Sequence, residues 1–257
     1  MIKKTKKIKI LFLDILTDNK YLRKDIEKKV YVGKTYAETM QTALGLNKNQ
    51  FVAVDASSGR LPDPQQYSAI VMGGSVKDPV KSQEKPWMKR VYKFIREAQK
   101  NKIPILGICG GLQFTVKALG GEVVYNSKGR NFGNSVLELN KSGQEDMLFK
   151  GLPKKFFVQS SHKCIAQELK SGWRLLGSSR MSPLDAIAIG NNIRLVQFHP
   201  EMRAKNARLL AKMRKKALIE EGFTTEKDFP KLLKSFKDTS SFGKKILKNF
   251  LVYFAQG

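Results

Sequence analysis

The chain has 257 residues, 41% of them hydrophobic, and 48 Lys and Arg against 22 Asp and Glu give a formal net charge of +26. That apolar fraction is enough to build a real core and argues against wholesale disorder. Two cysteines, Cys109 and Cys164, are too few for a disulfide framework and point to a reducing compartment.

The first segment, MIKKTKKIKILFLDIL, begins like a signal peptide. Asp14 interrupts its apolar run and no small-residue cleavage site follows, so the reading is a basic tail leading into a first strand. No apolar stretch is long enough to span a bilayer, and a cytoplasmic protein with no membrane partner is expected. Apolar runs between turn signals predict strands over 8–16, 50–56, 68–74 and 103–109. Helical patterns alternate with them. The clearest follows Pro86, where Trp87, Val91, Phe94, Ile95 and Ala98 share one face and lysines and arginines take the other. Strands alternating with helices predict an α/β fold with a mostly parallel sheet covered on both faces.

After Gly120 the texture changes. EVVYN, NSVLELN, KFFVQSS, WRLLGSS, DAIAIG and IRLVQFHP read as short strands, and as antiparallel edge strands rather than core ones. From Glu201 the pattern turns helical, with helices expected within 203–219, 225–236 and 240–255. The expected organisation is one domain over 1–202 with a helical C-terminal extension, 203–257, packed on it.

The positive charge invites a nucleic-acid reading. There is no zinc-finger spacing, no aromatic RNP-type motif and no helix-turn-helix pattern. A lysine-rich solvated surface is the preferred explanation, and nucleic acid is not expected as a partner. No metal site and no cofactor are expected.

In ILGICGGLQF, Gly107, Cys109 and Gly111 form G-x-C-x-G, the cysteine version of a nucleophile elbow. The alternative is a small buried cysteine on a glycine-rich turn. The elbow needs a buried strand before it and a helix after it, and both are predicted, the helix stopping at Gly120–Gly121. The glycines remove side chains that would collide across the turn. The helix N-terminus would then point at the sulfur and favour a thiolate.

A cysteine nucleophile needs a base, and the chain has two histidines, His162 and His199. His199 ends an apolar strand in RLVQFHPEM. If the segment is extended, Glu201 points the same way and can orient the imidazole. His162, in QSSHKC, has no nearby carboxylate; it is either a pocket-wall residue or a loop histidine bonded to backbone. An oxyanion hole would take the amide of Gly110 and one from the Gly73–Gly74 loop, the alternative there being a plain glycine turn.

IVMGGS, GICGGLQ and VQFHPE, in this order, resemble the class I glutamine amidotransferases over roughly residues 8–203, and the stand-alone, GMP-synthase-like group among them. The resemblance implies a flavodoxin-like central sheet and a Cys109–His199–Glu201 triad. It implies glutamine or another γ-glutamyl compound as substrate, a γ-glutamyl thioester, and release of ammonia. It places Gln113 against the substrate, Gly73, Gly74 and Gly110 at the oxyanion, and Asn131, Phe132 and Gly133 of the RNFG segment, with His162, around the pocket. The chain departs from the family where Gly110 replaces the usual leucine, Leu112 a frequent histidine, and Cys164 an aspartate. With no P-loop in the sequence, the ammonia would go to a separate synthase subunit. The other readings are a stand-alone γ-glutamyl peptidase with the same triad, and a non-catalytic binding module.

Overall fold

A computed structural model describes residues 8–256; the basic run Lys3 to Lys7 lies outside them. The chain runs β1 (Ile10–Asp14), α1 (Lys20–Lys29), α2 (Tyr36–Leu44), β2 (Phe51–Asp55), β3 (Ala69–Met72), α3 (Pro86–Lys100), β4 (Ile105–Ile108) and α4 (Gly110–Ala118). It continues through β5 (Val123–Tyr125), β6 (Asn131–Leu139), α5 (Lys141–Glu145), β7 (Lys155–His162), β8 (Cys164–Ala166), β9 (Trp173–Ser178), β10 (Ala186–Ile189) and β11 (Ile193–Val196). Four helices follow: α6 (Ala204–Met213), α7 (Lys215–Glu220), α8 (Phe229–Ser235) and α9 (Ser240–Tyr253).

Nine of the described strands form one sheet in the order β2-β1-β3-β4-β11-β10-β9-β6-β7, and β5 pairs with β8 apart from it. The first five are parallel and the rest antiparallel. The fold is therefore α/β with a parallel core and antiparallel edge strands, as the sequence predicts. One strand departs from that division. IRLVQFHP was expected among the edge strands; β11 pairs antiparallel with β10 but parallel with β4, so it closes the parallel core beside the elbow. Its apolar residues, buried on both faces, are what a central strand requires.

The parallel strands β1, β3, β4 and β11 are buried on both sides, while β2, at the sheet edge, is only partly buried. Along β1, Ile10 and Phe12 enter one apolar layer and Leu11 and Leu13 the other. The second layer is roofed by α3 and α4. The first holds α1 and α2, and the C-terminal helices join it: α6 lies against α1 and α9 against α2 and β7. No helix among the described residues is long and apolar enough to cross a membrane.

Candidate active site

Cys109 sits between β4 and α4, at the C-terminal edge of the parallel core, where ligands of such sheets gather. Its backbone has φ 52° and ψ −101°, a region that costs a non-glycine residue about 1–3 kcal/mol. The surrounding glycines show what holds it there. A Cβ on Gly107 would lie 2.7 Å from the Gly111 carbonyl oxygen, and one on Gly111 would lie 2.6 Å from that of Met72. On Gly110 it would lie 2.5 Å from the Ser75 nitrogen. The turn is a packed junction between β3, β4 and α4 that tolerates no Cβ.

His199 and Glu201 follow β11. The imidazole Nδ1 lies 2.8 Å from Glu201 Oε1, and both side chains are buried. The extended geometry expected here is not what joins them. Met202 N–H donates to the His199 carbonyl at 3.2 Å, closing a turn with Pro200 in its second position. Pro200 presets that turn, which folds Glu201 back onto the ring. With Nδ1 engaged, Nε2 is left to face the Cys109 sulfur. Burial works against the charged imidazole, but the Glu201 carboxylate and Cys109 outweigh it and raise the His199 pKa above the usual histidine range.

The sulfur has two other polar neighbours. Gln197 Nε2 approaches it at 3.8 Å and the Ser161 carbonyl lies at 3.9 Å. The Gly110 amide carries no intramolecular hydrogen bond among the described residues and flanks the sulfur at the start of α4. Gly74 N–H, in contrast, is taken: it donates to the phenolic oxygen of Tyr36 at 2.7 Å. That hydroxyl donates in turn to Glu201 Oε1 at 3.2 Å. Burial, with the Glu201 charge beside it, pushes the Tyr36 phenol well above its ordinary pKa, so it stays a neutral donor. Gly73 packs under the same ring, and its carbonyl accepts from Gly111 N–H at 2.9 Å.

A cavity of about 40 Å³ opens beside Cys109 and His199, walled by Tyr31, Tyr36, Gly74, Ser161 and Arg214. Gln113 is not among the residues that wall it: it is fully buried, and its amide donates to the Cys164 carbonyl at 2.9 Å. His162 is not a free base. Its Nδ1 meets the Cys164 carbonyl at 3.1 Å and its Nε2 meets the Asn131 amide at 3.2 Å. Burial lowers its pKa to about 3, so it is neutral, and it bonds to backbone from the end of β7 rather than from a loop. Asn131, Phe132 and Gly133 line no part of this cavity. Phe132 packs edge-on against Phe223 and Phe236 at 5.9 and 6.1 Å, because the C-terminal extension covers β6. Among the described residues no group of three or more His, Cys, Asp or Glu could hold a metal ion.

Sequence reasoning missed Tyr36, Gln197 and Arg214. Tyr36 opens a helix with a Thr35–Glu38 capping box, and that signal reports the helix, not the site. Nothing in the spacing of Arg214 connects it to an elbow more than a hundred residues earlier.

Gly243 of α9 touches the backbone of Pro200 so closely that a Cβ there would collide with the Pro200 carbonyl. The last helix therefore buttresses the turn that carries His199 and Glu201.

The family described as glutamine amidotransferase class-I matches residues 32–215. A GMP synthase [glutamine-hydrolyzing] from Thermosipho melanesiensis is 48% identical over 101 residues, which are 39% of this chain and 19% of that protein. Its counterpart from Streptococcus pyogenes is 39% identical over 105 residues, 40% of this chain and 20% of that protein. The chain thus matches about a fifth of the length of these curated relatives. A glutamine amidotransferase structure from Thermotoga maritima superposes with a TM-score of 0.73 at 20% identity, covering 96% of this chain and 97% of that one. One from Methylobacillus flagellatus gives 0.72 at 16% identity, covering 96% and 95%. At such identities the two structures share the fold.

Proposed function

The chain belongs to the class I glutamine amidotransferase family, and from that premise we propose that it hydrolyses the side-chain amide of glutamine with Cys109 as nucleophile, His199 as acid–base and Glu201 as its orienter. The observation that carries this reading is the His199–Glu201 contact at 2.8 Å beside a cysteine held at φ 52°. The Cys109 thiolate attacks the γ-carbonyl carbon of glutamine, and the negative charge on the carbonyl oxygen is met by the Gly110 amide. His199, holding the proton as imidazolium, passes it to the amide nitrogen; the C–N bond breaks and ammonia leaves. The resulting thioester is opened by a water that His199 deprotonates, releasing glutamate and returning the thiol.

The GMP synthase name of the curated relatives supports delivery of the ammonia to a synthase partner. The test is ammonia and glutamate release from glutamine by the purified protein, with Cys109→Ala as control, with and without a candidate synthase. Cysteine-dependent release supports the reading. Release that survives in Cys109→Ala removes it. Cleavage of γ-glutamyl dipeptides with no action on glutamine would make the protein a γ-glutamyl peptidase.

A further inference from the structure

Arg214 sits where α6 gives way to α7, and its side chain reaches back to wall the cavity that holds Cys109 and His199. Its Nη1 donates to Ser161 Oγ at 3.1 Å. The carbonyl of that same Ser161 is the one lying 3.9 Å from the Cys109 sulfur. The guanidinium and the nucleophile therefore line one small space, each in contact with Ser161.

What sets Arg214 apart among the described residues is that it lines the cavity with neither a counter-ion nor a backbone carbonyl to cap. The other arginines drawn into the structure are satisfied: Arg23 pairs with Asp14 at 2.7 Å and Arg194 with Asp146 at 2.9 Å. Arg130 is clamped through two nitrogens by Glu221, which also pairs with Lys163. Arg208 caps the carbonyls of Leu233 and Phe236 at 3.0 and 2.8 Å. Among the described residues Arg214 has no carboxylate within ion-pair distance, and one hydroxyl uses one of its five N–H donors. Arg214 is half-buried, and an anion entering the cavity would give its unused donors a charge-assisted partner. The charges around it do not already do so. Burial and the neighbouring Arg130 disfavour its charged form, while Cys109, Tyr31 and Asp78 favour it from a distance.

On the glutaminase reading, we propose that Arg214 receives the α-carboxylate of the γ-glutamyl substrate, so that the helices beyond β11 supply a specificity-determining side chain to the pocket. The chemistry fits the position. The α-carboxylate carbon of a γ-glutamyl group is four bonds from the carbonyl carbon that Cys109 attacks, about 5 Å when extended. A planar fork of donors lining the same cavity as the sulfur suits a carboxylate. The substrate is then a γ-glutamyl compound with a free α-carboxylate, and an α-amide is rejected. The cavity of about 40 Å³ is closed down around the sulfur, so admitting substrate requires the α6–α7 junction and Tyr36 to give way.

The experiment compares L-glutamine with its α-carboxamide as substrates of the wild type, Arg214→Ala and Arg214→Lys. It also compares their calorimetric binding to the same three proteins carrying Cys109→Ser. The wild type is expected to favour glutamine in kcat/KM by at least about 30-fold, as for a desolvated charge pair. Arg214→Ala should lose that factor on glutamine and little on the α-amide, so the preference collapses, and Arg214→Lys should restore part of it. Equal losses on both substrates, or a preference that persists in Arg214→Ala, would overturn the proposal while leaving the glutaminase reading intact. Binding of glutamine that depends on Arg214, without turnover in the wild type, would uphold the receptor and remove the hydrolysis. Neither turnover nor binding would overturn both.

Discussion

The phenolic oxygen of Tyr36 accepts the Gly74 amide hydrogen at 2.7 Å, and so holds the donor that the sequence assigns to the oxyanion hole. The same hydroxyl leans on Glu201 through a longer contact of 3.2 Å. Tyr36→Phe would leave the Gly74 N–H without a partner in the resting protein. That should lower stability by about 1–3 kcal/mol, the cost of an unpaired buried donor. It should also raise kcat for glutamine, because a donor no longer held by Tyr36 can meet the developing oxyanion. Denaturant unfolding and steady-state kinetics on the same variant check both halves. A kcat equal to or below the wild-type value would show that Tyr36 does not compete for Gly74.

The elbow and the His-Pro-Glu segment were legible because each depends on local chemistry. A cysteine flanked by glycines at ±2 needs only its own strand and helix, and the collisions that a Cβ would meet at Gly107 and Gly111 explain the pattern. The route from His199 to Glu201 was less legible. Alternation along a strand and a Pro-initiated turn both bring residues i and i+2 together, and only the Met202–His199 hydrogen bond separates them. Tyr36 and Arg214 were not legible, since their positions follow from how helices pack, not from spacing. The place of the RNFG segment was not legible for the same reason: the extension packs Phe223 and Phe236 on Phe132, apart from the cavity beside Cys109.

Glu201 raises the pKa of His199 against the effect of burial. On the proposed mechanism the imidazolium must be present to protonate the leaving nitrogen. Glu201→Gln removes the carboxylate that stabilises that proton, so the basic limb of the pH–rate profile should move to lower pH. The rate at its optimum should fall, by about a hundredfold or more. The stability linkage has the same sign. A histidine whose folded pKa is raised contributes stability that is complete below its unfolded value near 6.5 and is lost as pH rises through the folded value. The stability difference between wild type and Glu201→Gln should accordingly shrink toward high pH. An unmoved basic limb would detach Glu201 from His199.

Asp185 is fully buried, and neither of its carboxylate oxygens has a hydrogen-bond partner. Burial pushes its pKa up to about 7, opposed weakly by Ser179. A carboxyl with a raised folded pKa binds its proton more tightly in the folded state. Its cost to stability is absent below the unfolded value near 3.8, grows as pH rises through that value, and levels off above the folded value of about 7. Asp185→Asn removes the titration. The variant should gain on the wild type as pH rises, by roughly 2–3 kcal/mol between pH 5 and pH 8. Urea unfolding at the two pH values measures it. A difference that does not change with pH would mean that Asp185 is ionised at little cost.

Gly243 lies on the last helix, outside the cavity, yet its backbone presses on Pro200 between His199 and Glu201. A methyl group at 243 has no room unless α9 or the His-Pro-Glu turn shifts. The turn is the softer element: a helix must move as a body, whereas the turn's closing bond is a single contact at 3.2 Å. Gly243→Ala is therefore expected to displace His199 relative to Cys109 and lower kcat by about a hundredfold, the scale of a 1 Å misplacement at a reacting centre. The preference for glutamine over its α-amide should persist, because Arg214 reaches the cavity from the α6–α7 junction. The helical propensity gained at an interior glycine, about 1 kcal/mol, partly offsets the clash, so the loss of stability should be smaller than the loss of rate implies. Kinetics with both substrates, beside a thermal melt, separate these effects. Full activity in a folded Gly243→Ala protein would show that the helix gives way instead and that α9 does not position the histidine.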